Sequence, residues 1–271
     1  MAIIVKGDGS REEFVVDKLT SSMKHSGAPH ELAEKVAEKI ALSVKDGMTT
    51  SQIYKNAYSL LAKEEKVTAA RYSMRRAILE LGPTGYPFEN FISEVMRLRG
   101  YTSKVRQMIQ GKCATHEVDV VFEKDGHTIG AELKFHNTSG FKTDLKTALY
   151  VESRFRDIKL REGSVIDEGW LITNTKFSET AIDFAECAGL TLLGWSYPYK
   201  GNLHDMIRET GVYPLTVLSS LSKKEKDILL MQDVALCNTV AENPDVLLKA
   251  GIPRRKHQEI IAESTAVCAV K

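Results

Sequence analysis

Apolar positions along the chain fall into blocks of two kinds, alternating and helical. Ile3, Ile4 and Val5 lead into Gly7-Asp8-Gly9-Ser10, and Phe14-Val15-Val16 returns from it. This predicts a hairpin in which Gly and Asp supply the positive φ of a tight turn. Leu32, Val36 and Ile40 are spaced for one helical face within Leu32–Val44. Thr50-Ser51 reads as the cap of a further helix carrying Ile53, Ala57, Leu60 and Leu61, and another helical run covers Ala69–Leu81. Gly82-Pro-Thr-Gly-Tyr-Pro87 stops that run and is the best domain boundary. Beyond it the pattern predicts a helix over Phe88–Arg99, strands over Glu117–Phe122 and His127–Phe135, and a long helix over Lys142–Arg156. A strand Gly169–Thr173, a helix Ser178–Ala188 and a strand Thr191–Trp195 follow, which together indicate an α/β layer. Pro198, Gly201, Gly211 and Pro214 mark a second loose boundary, after which the chain reads as helical.

Composition narrows this only a little. The 271 residues are 43% hydrophobic and 27% charged, enough for globular packing in one large domain or two to three small ones. No apolar run approaches the ~18 residues needed to cross a membrane, and the opening segment is too polar for a secretory core. Cys113, Cys187, Cys237 and Cys268 lie far apart without a C-x-x-C pair, so neither a disulfide framework nor a structural zinc is expected, and a cytoplasmic setting is. The net charge of +1 leaves any nucleic-acid surface to be local.

The candidate chemistry lies in the middle. A two-residue turn at Asp125-Gly126 pairs Lys124 with His127, which places Asp119 opposite Glu132 and Glu117 opposite Lys134. Opposed residues share a face with Cβ atoms about 4.5–5.5 Å apart, so four charged side chains meet on one patch of otherwise apolar strands. Two opposed carboxylates repel unless a cation lies between them, and Mg²⁺ prefers such oxygens and retains waters. A nearby lysine suits the charge that develops on a phosphodiester under attack. The same pattern also fits a solvent-facing strand with ordinary salt bridges. His116, His127 and His136 flank the hairpin, but a zinc site there lacks a fourth ligand.

Asp119 followed by Ala131-Glu132-Leu133-Lys134 resembles the D…(D/E)-x-K motif of the PD-(D/E)XK nuclease superfamily, and its surroundings resemble the Mrr-type restriction endonuclease branch. Phe88-Glu89 opening a helix that ends at Gly100-Tyr101, Trp170–Ala181 and Leu190–Gly194 are similar to further elements of that family. Glu117-Val118 stands where the family often has a proline. The resemblance implies that Asp119 and Glu132 bind Mg (or Mn), that Lys134 is the catalytic lysine, and that Glu89 is an auxiliary acid.

Val5-Lys6-Gly7-Asp8-Gly9-Ser10 with Glu12, Phe14 and Asp17-Lys18-Leu19 resembles the ATP-cone, a regulatory nucleotide-binding module. Thr49–Tyr54 and Ala70–Ala77 fit the same family, which usually has arginine where Gly7 stands. The resemblance implies an ATP or dATP site lined by Lys6, Glu12, Lys18, Leu19, Thr50 and Tyr54. No Walker A loop occurs, so hydrolysis there is not implied. Leu247–Ile261 resembles a helix-hairpin-helix element, in which the turn at Gly251 offers backbone N–H groups to a phosphate beside Arg254, Arg255 and Lys256. A plain helical cap or dimerisation unit is the other reading of that segment.

The expectation is a multidomain α/β protein. An N-terminal β-hairpin plus helical bundle (1–85) precedes a central restriction-endonuclease-like α/β sheet domain (86–205) and an all-helical C-terminal region (206–271). The expected function is a Mg-dependent DNA endonuclease regulated by the nucleotide effector ATP or dATP, acting as a homo-oligomer and away from membranes. The alternative is a non-catalytic, nucleotide-responsive DNA-binding regulator.

Overall fold

The computed structural model of the protein describes residues 2–7, 9–82, 84–138 and 140–269. Asp8 of the expected first turn and Pro83 of the expected boundary lie outside them. The chain is a multidomain α/β protein with an N-terminal hairpin and helices, a central mixed sheet and C-terminal helices. It divides into two compact units. One holds the N-terminal residues to Ala77 together with Tyr213–Lys226 and the residues from Cys237 onward; the other holds Ile78–Val212 and Asp227–Leu236. No helix among the described residues is long and apolar enough to cross a membrane.

In the first unit, β1 (Ile3–Val5) pairs antiparallel with β2 (Arg11–Glu13), Ile4 opposite Glu12. The returning strand therefore precedes the apolar triplet Phe14-Val15-Val16. Val16 instead opens α1 (Val16–His25), where Leu19 and Met23 turn one face into the core. Next, α2 (His30–Ala41) buries Ala33, Val36, Ala37 and Ile40, and α3 (Thr50–Glu64) buries Ile53, Ala57 and Leu61. The cap of α3 is Thr49, one residue before the expected Thr50. Gln52 stands three positions on and completes a capping box, its Oε1 accepting from the Thr49 N–H at 2.8 Å. The expected helix over Ala69–Leu81 is interrupted between α4 (Lys66–Tyr72) and α5 (Met74–Leu79). There the Ser73 hydroxyl donates to the Ala70 carbonyl at 2.7 Å and competes with the helical pattern.

The second unit starts with α6 (Tyr86–Leu98), whose Phe88, Phe91, Ile92, Val95 and Met96 recur at helical spacing and are buried. Each such burial contributes about 1.5–3 kcal/mol relative to exposure. The strands β3 (Thr102–Gln110), β4 (Thr115–Lys124) and β5 (His127–Lys134) form an antiparallel meander. Sequence periodicity missed β3, a largely polar strand at the sheet edge. A short β6 (Lys142–Thr143) precedes α7 (Leu145–Lys159). Asp144 caps α7 by accepting from the Thr147 N–H at 3.0 Å, so this helix starts later than expected. Then come β7 (Glu168–Thr173), β8 (Lys176–Phe177), α8 (Glu179–Ala188), β9 (Thr191–Leu193) and α9 (Leu203–Thr210). The main sheet runs β3-β4-β5-β7-β9, its last pairings parallel, while β6 pairs with β8.

The feature that positions the site is a pair of glycines. Gly130 of β5 and Gly169 of β7 are directly paired, and a Cβ on either would lie 2.6 Å from the Phe155 ring. Their bareness lets Phe155 lie against the strands and brings α7 close to the sheet. Arg154, the neighbour of Phe155, thereby reaches Glu132, which shares the Gly130 face of β5.

The C-terminal helices are α10 (Lys223–Met231), α11 (Cys237–Glu242), α12 (Asp245–Lys249) and α13 (Arg254–Cys268). Within the first unit, α13 packs on α4 and α11.

Candidate functional site

Asp125 (φ 55°) and Gly126 (φ 77°) form the expected two-residue turn, and Lys124 pairs with His127. The ladder keeps the expected register as far as Val120 opposite Ala131 and then opens, so the expected pairs Asp119–Glu132 and Glu117–Lys134 do not form as rungs. At the opening, Asp119 Oδ2 accepts the Leu133 N–H at 2.7 Å. The ladder on the other side is broken at the same level. Val105 pairs with Val120 and Gln107 with Val118, while Arg106 between them has φ 50° and no rung to Asp119. Asp119 thus occupies a gap in both flanking ladders, and a left-handed arginine marks it, as backbone strain does at many functional sites.

Three carboxylates interact at this gap: Glu89 from α6, Asp119 from β4 and Glu132 from β5. Glu132 is 4% exposed and Glu89 7%. Lys134 Nζ donates to Glu132 Oε1 at 2.6 Å, and Arg154 Nη1 donates to Glu132 Oε2. The same Nη1 reaches the Glu117 carbonyl at 2.9 Å, and Nη2 reaches the Tyr150 hydroxyl at 2.6 Å. Arg106 donates to Glu89 Oε2 at 3.0 Å and to Asn90 Oδ1 at 3.3 Å. Sequence reading found the acids and Lys134 but neither arginine. The Arg106 contact depends on a positive φ, and the Arg154 contact on helix placement. The i, i+4 spacing of Tyr150 and Arg154 was the sole local signal.

Burial, followed by the Glu132 carboxylate, pushes the Asp119 carboxyl up from its ordinary 3.8 to about 6, against the opposing pulls of the Leu133 N–H and Lys134. Burial also raises Glu89 despite Arg106. A raised carboxyl means that the folded chain holds a proton the unfolded chain has lost, so Asp119 costs stability as pH rises from about 4 to 6. Asp119→Asn, which keeps an acceptor for Leu133, should therefore raise the urea midpoint relative to wild type at pH 7.5 and lose that advantage at pH 4.5. An advantage independent of pH would refute the assignment.

The flanking histidines do not gather. His116 pairs with Asp157 at 2.8 Å, His127 with Glu168 at 3.3 Å, and His136 stacks on Phe141 at 4.4 Å. Among the described residues no group of three or more His, Cys, Asp or Glu side chains is arranged to hold a metal ion.

In the first unit, Glu12 draws Lys6 and Lys18 together at 3.2 and 3.3 Å. Those two lysines lower its carboxyl pKa. Val5 forms a bridge with Thr49, so Thr50 and the start of α3 lie beside the β1 end that carries Lys6. Leu19 is buried in the core below, and Tyr54 stacks on Tyr72 at 5.1 Å. Of the expected nucleotide residues, Lys6, Glu12 and Lys18 meet directly, while Leu19 and Tyr54 are packing residues of the same unit.

At the C-terminal turn Gly251 has φ 70°. Its N–H donates to the Leu248 carbonyl and that of Ile252 to the Leu247 carbonyl, each at 3.0 Å, so both donors close the end of α12. Lys256 is held by Glu225 at 2.6 Å, whereas Arg254 and Arg255 are exposed.

Comparison with known proteins places these parts. Residues 2–80 match the ATP cone domain family, and residues 213–268 match the family described as AF1548-like, C-terminal. An uncharacterized protein of Archaeoglobus fulgidus is 36% identical over 177 residues, which is 65% of this chain and 99% of that one. The chain belongs to the AF1548-like family. A crystal structure of AF1548, described as a protein of unknown function, matches with a TM-score of 0.59 at 34% identity, over 68% of this chain and 98% of that one. This member of the family carries an ATP-cone at its N-terminus.

Proposed function

We propose that this protein is a metal-dependent DNA endonuclease of the PD-(D/E)XK type, regulated by ATP or dATP at its ATP-cone. The observation that carries the reading is the break in both ladders at Asp119, beside the buried Glu132 that Lys134 contacts. Hard carboxylate oxygens fit Mg²⁺ or Mn²⁺, and the raised Asp119 carboxyl is what a bound cation would relieve. Asp119 and Glu132 would hold the ion. A bound ion there would supply a water of lowered pKa and positive charge for the phosphodiester. Lys134 turns from Glu132 to the developing phosphorane charge. Arg154 keeps Glu132 oriented from α7, and Arg106 keeps Glu89 at the centre from β3.

Incubating supercoiled plasmid with Mg²⁺ or Mn²⁺, with and without ATP, tests this. Wild type should nick and Lys134→Ala should not. No nicking by wild type under any of these conditions would sink the enzyme reading.

The second reading is a non-catalytic, nucleotide-responsive DNA-binding regulator. It is favoured by Glu132, both of whose oxygens are engaged by Lys134 and Arg154. In either reading the chain works as a nucleotide-binding region (1–85), a catalytic or retired sheet domain (86–205) and a DNA-holding helical region (206–271), with Arg254 and Arg255 the available cations and a homo-oligomer the working form.

For the nucleotide site, the triphosphate replaces Glu12 as the anion between Lys6 and Lys18. Removing one charge-assisted contact costs about 1.5–3 kcal/mol, so Lys18→Ala should weaken ATP binding about 10- to 100-fold by calorimetry. Unchanged affinity would place the phosphates elsewhere.

A further inference from the structure

Cysteines distant in sequence are brought together at the end of the last helix. Cys237 opens α11 and is fully buried. Its Sγ is 3.7 Å from both the carbonyl and the hydroxyl oxygen of Ser264 on α13. Cys268 lies one helical turn beyond Ser264 on the same face of α13, the face that meets the Cys237 thiol. The Ser264 hydroxyl also donates to the Cys237 carbonyl at 2.6 Å, which fixes the two helices against each other at this point.

The backbone on either side of Cys268 is gripped by Arg71 of α4. The Arg71 guanidinium donates to the Val267 carbonyl at 3.2 and 3.3 Å and to the Ala269 carbonyl at 2.6 Å. It also lies over the Tyr213 ring at 5.8 Å. The thiol pair is therefore built into the seam where the final helix meets a helix of the ATP-cone.

We infer that Cys237 and Cys268 form a thiol–disulfide site, whose closure clamps the end of α13 to α11 and so to the Arg71 contact. The oxidant is a small-molecule disulfide. Cys268, the more accessible thiol, attacks one oxidant sulfur, forms a mixed disulfide and releases one thiol, which carries off a proton. Cys237 then attacks the Cys268 sulfur, the protein disulfide forms, and the second oxidant thiol leaves with the second proton. Two electrons pass from the protein thiols to the oxidant. Contact with Cys268, and then burial, hold the Cys237 thiol protonated, which assigns the first attack to Cys268 and makes closure the slower step.

The test uses the full chain with the exposed Cys113 and Cys187 changed to serine. It is treated with oxidised glutathione under native conditions and followed by peptide mapping and thermal melting. The expected product is a Cys237–Cys268 link with the loss of two hydrogens and a Tm higher by about 5–10 °C, as expected for closing a loop of about 30 residues. Dithiothreitol should reverse both changes. Cys237→Ala should retain glutathione on Cys268 and show no rise in Tm. A chain that stays reduced, stops at the mixed disulfide, or links only in urea overturns the inference. So does a linked chain whose Tm does not rise. The parent chain alone decides the matter if Cys237→Ala does not fold.

Discussion

Lys134→Ala should lower Mg²⁺-dependent cleavage of supercoiled DNA by about 10²–10³-fold, the loss typical of removing one charge that stabilises a transition state. DNA and ATP affinities should stay within a few-fold of wild type. Lys134 donates to Glu132 Oε1, yet its side chain is 36% exposed against 5% for Glu132, so the ammonium group has solvent in which to turn toward a substrate phosphate. Its role as a counter-ion to Glu132 is shared with the more deeply buried Arg154, and its loss should therefore leave the fold intact. A loss of activity that tracks a fall in urea midpoint would show Lys134 to be structural. A loss at unchanged midpoint would show that its charge acts on the substrate. Product analysis by gel, beside equilibrium unfolding of both proteins, separates the two. If Lys134→Ala cleaves as fast as wild type, the nuclease centre is misassigned.

The hairpin carrying these residues was legible because its determinants are local. Asp125-Gly126 selects the turn, and the turn sets a register that holds up to Val120 opposite Ala131, the rung next to Asp119 and Glu132. The buried face of α6 was legible for the same reason, since five apolar residues at helical spacing fix it. What could not be read depends on tertiary placement. β3 is polar because it is an edge strand, and no period marks it. Arg154 becomes a site residue because Gly130 and Gly169, distant in sequence, jointly leave room for Phe155. Arg106 becomes one through a backbone conformation that its side chain does not announce. The cysteines teach the same point. Their sequence spacing argued against a disulfide framework, and all four are free, yet Cys237 and Cys268 meet because α11 and α13 pack together.

The family relationship bears on how control and chemistry divide. The A. fulgidus relative is matched over 99% of its length by 65% of this chain, which leaves about a third of this chain without a counterpart there. The ATP-cone spans 2–80, a stretch of comparable size. In the proposed reading, the acidic centre belongs to the shared part and the nucleotide response to the added one. Lys18→Ala should thus shift the effect of ATP on cleavage to about 10- to 100-fold higher ATP while leaving the rate without ATP unchanged.

Arg154→Leu should destabilise the protein by about 3 kcal/mol at pH 7.5. Glu132 is buried, and the Arg154 side chain is 13% exposed. Removing one member of a buried pair leaves an uncompensated charge and typically costs about 3–5 kcal/mol. Lys134 still contacts Glu132 Oε1, which puts the expected loss at the low end of that range. Leucine replaces the apolar stem of the arginine and leaves Phe155 seated on Gly130 and Gly169, so cavity formation adds little. Glu132→Leu in the Arg154→Leu background should recover much of the loss, because an apolar pair of similar volume carries no desolvation cost. The Arg154 bonds to the Glu117 carbonyl and the Tyr150 hydroxyl are lost in both proteins that carry Arg154→Leu, and only the charge coupling is relieved by the second change. Urea midpoints for wild type, both single variants and the double variant supply that coupling. If the effects simply add, Arg154 braces α7 against β4 and does not orient Glu132.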